Sequence, residues 1–398
     1  MFTDYILDGR GHGEFAETLG ELRFDPGLLR PYRDERNRKV CTVNTGRRIK
    51  KLDPRTNKPA LDKNNNFIWV PEKEVVLVKD LIDAGVESPA FNSAMSMRKD
   101  SWRYVDNQVI TSYRKRLRAW ADLAASSRVS GFDAMGTMLY EYETMSDPGQ
   151  AIVDLEGLAE GRTDSPKFQL EGVPLPITYS DFWFSARRLA VAASGGKPLN
   201  SVMAEAAGRR VAESIEQVTI GVQAGLTYGV TANYSRAASN YGYTNFPPRI
   251  TKNNMTVPTG SNGTAVLSSF LALRDELYDA NMFGPFMIYT SKDWDLYLDN
   301  LFSTTEPSAG TLRSRLLEVP EFKGIKRLDY FTEATPFSVL MVQMDPEVAQ
   351  AIDGMPVKVV QWDSHGGMRK NFRVMAIQVP VLRADYNGNC GIAHGTTA

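Results

Sequence analysis

The sequence predicts an α+β protein, and three observations carry that reading. Helices and strands alternate over the second half of the chain without a regular βαβ repeat. A long amphipathic helix precedes that alternation. Upstream of the helix, two strand-like segments flank a turn-rich, acidic stretch with too few apolar residues to build a core of its own. At 398 residues the chain exceeds the roughly 250–300 at which single cores divide, so two or more domains are expected.

Composition narrows the class. A hydrophobic content of 42% and a formal net charge of −1 describe an ordinary globular chain, not a wholesale nucleic-acid binder or a disordered one. No apolar run approaches the roughly 18 residues of a membrane span, so no membrane partner is expected. The opening MFTDYILDGRGHGEF lacks a basic segment followed by an apolar one, so no signal peptide is read there. Two cysteines, Cys41 and Cys390, cannot form a disulfide framework and fit a reducing compartment.

The elements follow in order. Residues 1–103 read as an irregular arm punctuated by Pro26, Pro31, Pro54, Pro59, Pro71 and Pro89. From Arg33 to Lys58 the arm holds ten basic and three acidic residues, a local +7. Arg33, Arg36, Arg38, Lys39, Arg47, Arg48, Lys50 and Lys51 are its candidate contacts to DNA or to neighbouring subunits. FIWV (67–70) and VVLV (75–78) read as short strands split by Pro71. A helix is expected over 104–126, with Val109, Tyr113, Leu117, Trp120 and Ala124 as its apolar stripe. Arg114, Lys115, Arg116 and Arg118 give it a basic face and extend the set of candidate contacts.

Residues 127–180 read as an extended hairpin, with MLYEYETM and KFQLEGVPLPI as its strand-like ends. An alternating strand near 177–182 and a GGKP break come next. The strongest helix then runs from Ser201 to about Gln223. Val211, Ile215, Val218 and Val222 recur at steps of four, three and four and form its predicted core face, while Arg209, Arg210, Glu213 and Glu216 lie off that stripe. After a polar excursion, a helix over Thr264–Ala280 places Val266, Phe270, Leu273 and Leu277 on one face. FMIY (286–289) reads as a buried strand, DWDLYLDNLF and TLRSRLLEV as helices, and segments 338–344, 356–362 and 371–382 as strands.

Motifs that carry chemistry are missing from this inventory. Of the three histidines, His12, His365 and His394, only His365 has a neighbouring Asp and Ser. No GxSxG elbow supports a hydrolase, and a strand-joining turn suits WDSHGG better. GRGHG is not a dinucleotide fingerprint, and GGKPLN lacks the hydroxyl residue and spacing of a phosphate loop. Neither cysteine has a partner at metal spacing. No catalytic, cofactor-binding or metal-binding residue is therefore assigned, and an enzyme without a recognisable motif is the distant alternative.

The order of elements resembles the major capsid proteins of tailed phages and their cellular relatives, the encapsulin shells, which share the Hong Kong 97-type fold. Two stretches carry the likeness. Leu175–Gly225 is similar to the pattern of strand, short helix, Gly-Lys-Pro break and long spine helix. GPFMIYTSKDWDLYLDN, from Gly284 to Asn300, is similar to the family's Gly-Pro-aromatic strand followed by a Trp-bearing helix. The resemblance covers roughly 104–398. It implies an N-terminal helix at 104–126, an extended E-loop at 127–180, a peripheral domain with its spine helix at 181–225, an axial domain at 226–355 and peripheral return strands at 356–398.

By the same resemblance the chain would be a capsid protein that self-assembles, as pentamers and hexamers, into an icosahedral virion shell around double-stranded DNA, formed in the host cytoplasm. Portal, scaffolding and decoration proteins would be its further partners. An encapsulin-type compartment holding a protein cargo is the alternative. The first hundred residues depart from the encapsulin pattern, whose chains begin close to their N-terminal helix.

Overall fold

The computed structural model describes residues 31–34, 36, 38–50, 67, 69–83, 107, 109–113, 117–131, 134–146, 165–194, 202–228, 238–302, 310–331 and 337–397. The acidic middle of the hairpin, the GGKP break and most of the first hundred residues lie outside them. The chain divides into two compact units. One comprises Met1–Tyr113, Tyr179–Val211 and Val357–Ala376; the other comprises Arg114–Thr178, Ala212–Pro356 and Ile377–Ala398.

In the first unit the described part of the arm is regular. Tyr32–Arg33, Lys39–Lys50 and Trp69–Leu77 form a three-stranded antiparallel sheet in that order. Pro71 does not split a strand: it pairs with Arg48 inside Trp69–Leu77, next to a register shift between Asn44 and Arg48. Its strand is at the sheet edge, the position in a sheet where proline is tolerated. Val40, Cys41, Val76, Val78 and Leu81 are buried beneath this sheet and the short helix Val78–Asp83.

The same unit holds strand Thr178–Ser185 from Tyr179 onward, with Phe182 stacked on Phe372 at 5.1 Å and Phe184 edge-on to both. Gly208 sits where a Cβ would come within 2.9 Å of Val109 Cγ1, so glycine is what permits that approach. Strands Ala349–Ser364 and Arg369–Leu382 are joined by the turn His365–Met368, with His365, Gly366 and Gly367 all at positive φ. His365 is thus a turn residue.

The single helix expected over 104–126 is not continuous. Val109–Tyr113 is helical and Leu117 and Arg118 are not, and a separate helix runs Ala119–Ser126. The break has a chemical reason: the N–H groups of Ala119 and Trp120 bond to the Glu216 carboxylate instead of to carbonyls one turn earlier. The long helix spans Val202–Ile220 and ends three residues before Gln223. Gly221, at φ +99°, terminates it, and a Cβ there would lie 2.6 Å from Thr244 Oγ1.

The second unit is built on a five-stranded mixed sheet in the order Phe322–Arg327, Phe286–Thr290, Val339–Gln343, Ile392–Gly395, Ile250–Lys252. Its outer pairs are parallel and its inner pairs antiparallel. Helix Gly263–Asp279 lays Val266, Phe270, Leu273 and Leu277, all fully buried, into a core shared with Phe286, Ile288, Val339 and Met341. Trp294 lies edge-on to Phe270 at 5.2 Å in the same core. Burial of each such side chain contributes about 1.5–3 kcal/mol of transfer free energy.

Candidate functional site

An antiparallel hairpin in the second unit exposes an apolar end. Leu139–Met145 pairs with Phe168–Pro174 in unbroken register, from Leu139↔Pro174 to Met145↔Phe168. At its base Asn240 Nδ2 donates to the Pro174 carbonyl at 2.5 Å. The Tyr142 hydroxyl donates to the Leu382 carbonyl at 3.3 Å, and the Arg383 guanidinium lies 4.6 Å from the centre of the Tyr142 ring. Burial then falls along the ladder. Glu171, Gly172, Val173 and Pro174 are buried, whereas the terminal pair is open, Met145 at 55% and Phe168 at 61%. Two apolar side chains paired across a hairpin and left in water are a surface suited to a partner.

A buried polar cluster underlies the same unit. Glu216 is 2% exposed and accepts the N–H groups of Ala119 at 2.7 Å and Trp120 at 3.2 Å. Burial pushes its carboxyl up to about 7, against the pull of those backbone donors. Asp122 accepts from the Tyr289 hydroxyl at 3.0 Å and from Lys326 Nζ at 2.5 Å. Tyr243 stacks on Tyr289 with ring centres 6.1 Å apart; its hydroxyl is buried without a partner, and its pKa is raised by burial and then by the charges of Glu216 and Asp122. Sequence reasoning missed this cluster, because Glu216 lies off the stripe of Val211, Ile215, Val218 and Val222. A signal existed: Ala212, Glu216 and Ile220 step by four and are all buried.

The predicted core face of the long helix is only partly where it was placed. Val211 and Ile215 are 1% exposed and Val218 is half-buried. Val222 is corrected: it lies beyond the end of the helix and is 41% exposed, since the Gly221 stop turns the chain away before the stripe completes.

The basic candidates are dispersed. Arg33 lies opposite Lys39 in the arm sheet, and Arg36 is exposed in the intervening turn. Arg38 forms an ion pair with Asp34 at 2.8 Å. Lys39 is half-buried; burial lowers its pKa, and the charge of Asp363 in the same unit opposes that shift. Arg47 and Arg48 lie within strand Lys39–Lys50, and Lys50 Nζ lies 3.8 Å from the centre of the Phe67 ring. Arg118 donates to the Arg327 carbonyl at 3.0 Å and faces Asp329 at 3.5 Å. Lys51, Arg114, Lys115 and Arg116 lie outside the described residues.

Among the described residues no group of three or more His, Cys, Asp or Glu could hold a metal ion, and no helix is long and apolar enough to cross a membrane. Cys41 and Cys390 are both buried.

A model of a family of unknown function, DUF6260, matches residues 92–395. No curated protein matches the chain. Among solved structures, the crystal structure of a virus-like particle from Pyrococcus furiosus aligns with a TM-score of 0.50 at 12% identity, covering 74% of this chain and 98% of that one. The capsid of Myoviridae phage XM1 aligns with a TM-score of 0.52 at 11% identity, covering 69% of this chain and 92% of that one. At such identities the likeness is one of fold: the chain has an α+β fold of the Hong Kong 97 capsid type.

Proposed function

The chain belongs to the family of unknown function DUF6260, and we propose that it is a major capsid protein whose copies assemble into an icosahedral shell around double-stranded DNA. The observation that carries the proposal is the hairpin with a buried base and an exposed Met145–Phe168 end, on a chain of this fold. Such a hairpin gains apolar burial only against another molecule, and a second copy of the chain supplies it in a closed shell. In this reading residues 127–180 are the E-loop, Val202–Ile220 is the spine helix, and the local +7 of the arm meets packaged DNA or neighbouring subunits.

Negative-stain microscopy of the purified chain tests the proposal. Closed particles are expected, and a dispersed monomer or small oligomer under assembly conditions would overturn it. The nucleic-acid content of the particles then separates the two shell readings. Nuclease-protected DNA is expected in particles from the native source, whereas particles filled only with a folded protein cargo would make the chain a compartment shell.

A further inference from the structure

The edge strand Thr178–Ser185 turns two aromatic rings to solvent. Side chains alternate between its faces: Phe182 is buried and stacks on Phe372, whereas Tyr179, Asp181 and Trp183 lie on the opposite, exposed face. Tyr179 is 56% exposed and Trp183 53%. Four residues of extended chain set the two rings about 13 Å apart. The adjacent strand Arg369–Leu382 brings an arginine to each ring. The Arg373 guanidinium lies 4.1 Å from the centre of the Tyr179 ring, and that of Arg369 lies 4.4 Å from the centre of the Trp183 ring. Arg187 and Arg188, both exposed, open the helix Ala186–Ser194, and the Ala186 N–H donates to the Met368 carbonyl at 2.8 Å, which holds that helix start beside Arg369. Asp181 stands between the rings, with its charge met by Arg373 through two bonds of 2.7 Å. Arg187, Arg188 and Arg369 form no ion pair among the described residues.

We infer that this sheet face binds single-stranded nucleic acid, with unpaired bases stacked on Tyr179 and Trp183 and the backbone phosphates met by Arg187, Arg188 and Arg369. Every base has a flat π-face, so an exposed aromatic ring takes any of them, and two rings along one strand direct the chain of nucleotides along it. Guanidinium groups take phosphate oxygens in paired, charge-assisted hydrogen bonds, and an arginine already stacked on an indole loses little freedom in doing so. A duplex hides its base faces in its own stack and presents phosphates and base edges; it would engage the arginines and leave both rings in water. An acidic peptide would likewise answer the cations and offer the rings no base to stack. The pairing of open rings with unpaired cations on one face therefore favours the single strand. Three phosphates neutralised by three arginines correspond to a slope of about −2 in log affinity against log salt.

Fluorescence anisotropy of a labelled single strand of mixed sequence, titrated with the purified full chain, tests it against a duplex of the same length. The single strand is expected to bind about tenfold or more tightly than the duplex, with the salt slope given above. Tyr179→Ala/Trp183→Ala should weaken single-strand binding about tenfold or more at an unchanged melting temperature, and Tyr179→Phe/Trp183→Phe should retain it. Equal or tighter binding of the duplex, or an alanine variant that binds like the wild type, would overturn the inference. Polyglutamate that competes as well as unlabelled single strand would assign the face to an acidic peptide and also overturn it. Photocross-linking of an iodouracil-bearing single strand to the wild-type chain gives a second reading that needs no variant: cross-links are expected at Tyr179 or Trp183, and cross-links confined to other segments would remove the site. Binding is read on the chain whether or not it forms particles, so a negative result leaves the shell reading standing.

Discussion

The carboxylate of Glu216 and the backbone N–H of Ala119 are 2.7 Å apart, a hydrogen bond that fastens the first turn of one helix to the flank of another across 97 positions of sequence. Trp120 N–H shares the same carboxylate, so two of the orphan donors of helix Ala119–Ser126 are satisfied by one side chain. Helix capping from a distant element couples the position of the short helix to that of the long one.

Stability should therefore depend on pH through Glu216. Its folded-state pKa of about 7 lies above the ordinary 4.5, because burial penalises the charged form. A raised carboxyl contributes stability that is fully present below about 4.5 and is lost as pH rises through about 7. The gap between the two values corresponds to about 3 kcal/mol. Denaturant unfolding from pH 4.5 to 7.5 should show this decline in the wild type and a flatter profile for Glu216→Gln; parallel profiles would remove Glu216 as its source.

Ile215 and Val222 belong to one sequence stripe but to different environments. Ile215→Ala should cost about 2–5 kcal/mol by leaving a cavity in the core. Val222→Ala should stay within about 0.5 kcal/mol, since its side chain is already largely in water. Urea midpoints at constant slope make the comparison.

The exposed hairpin pair should matter only to assembly. Met145→Ser/Phe168→Ser is expected to leave the subunit's melting temperature within error, while the yield of closed particles falls. Light scattering during assembly measures it, and unaltered yield would remove the hairpin end from the interface.

Lys370 and Asp363 form a buried pair, 2% and 9% exposed. Lys370→Ala should destabilise by about 3–5 kcal/mol because it leaves a buried carboxylate unpaired. Lys370→Met combined with Asp363→Leu should recover most of that loss, because the apolar pair has no charge to desolvate. Thermal unfolding of the two variants distinguishes a lost pair from lost packing.

Much of the fold was legible because helix Gly263–Asp279 and strand Phe286–Thr290 carry their burial as local periodicity. Val266, Phe270, Leu273 and Leu277 are buried as their spacing predicted, and FMIY is a central strand. The strands Ile250–Lys252, Phe322–Arg327 and Ile392–Gly395 were not legible. They are short or polar, and each is a strand only because a neighbour completes its ladder. The candidate surfaces divided in the same way: the hairpin's two arms could be read from sequence, whereas the Arg369–Trp183 stack joins residues 186 positions apart.

The amino-acid sequence alone determined the α+β class, the extended hairpin and the principal helices, since these follow from spacing along the chain. Tertiary structure decided what a polar residue does once it is near a core. Glu216 is a buried cap and not a solvated charge, and Pro71 continues an edge strand that its ring was expected to break. The reason is common to both: a hydrogen-bonding group is judged by the partner it meets on folding, and that partner can lie a hundred residues away.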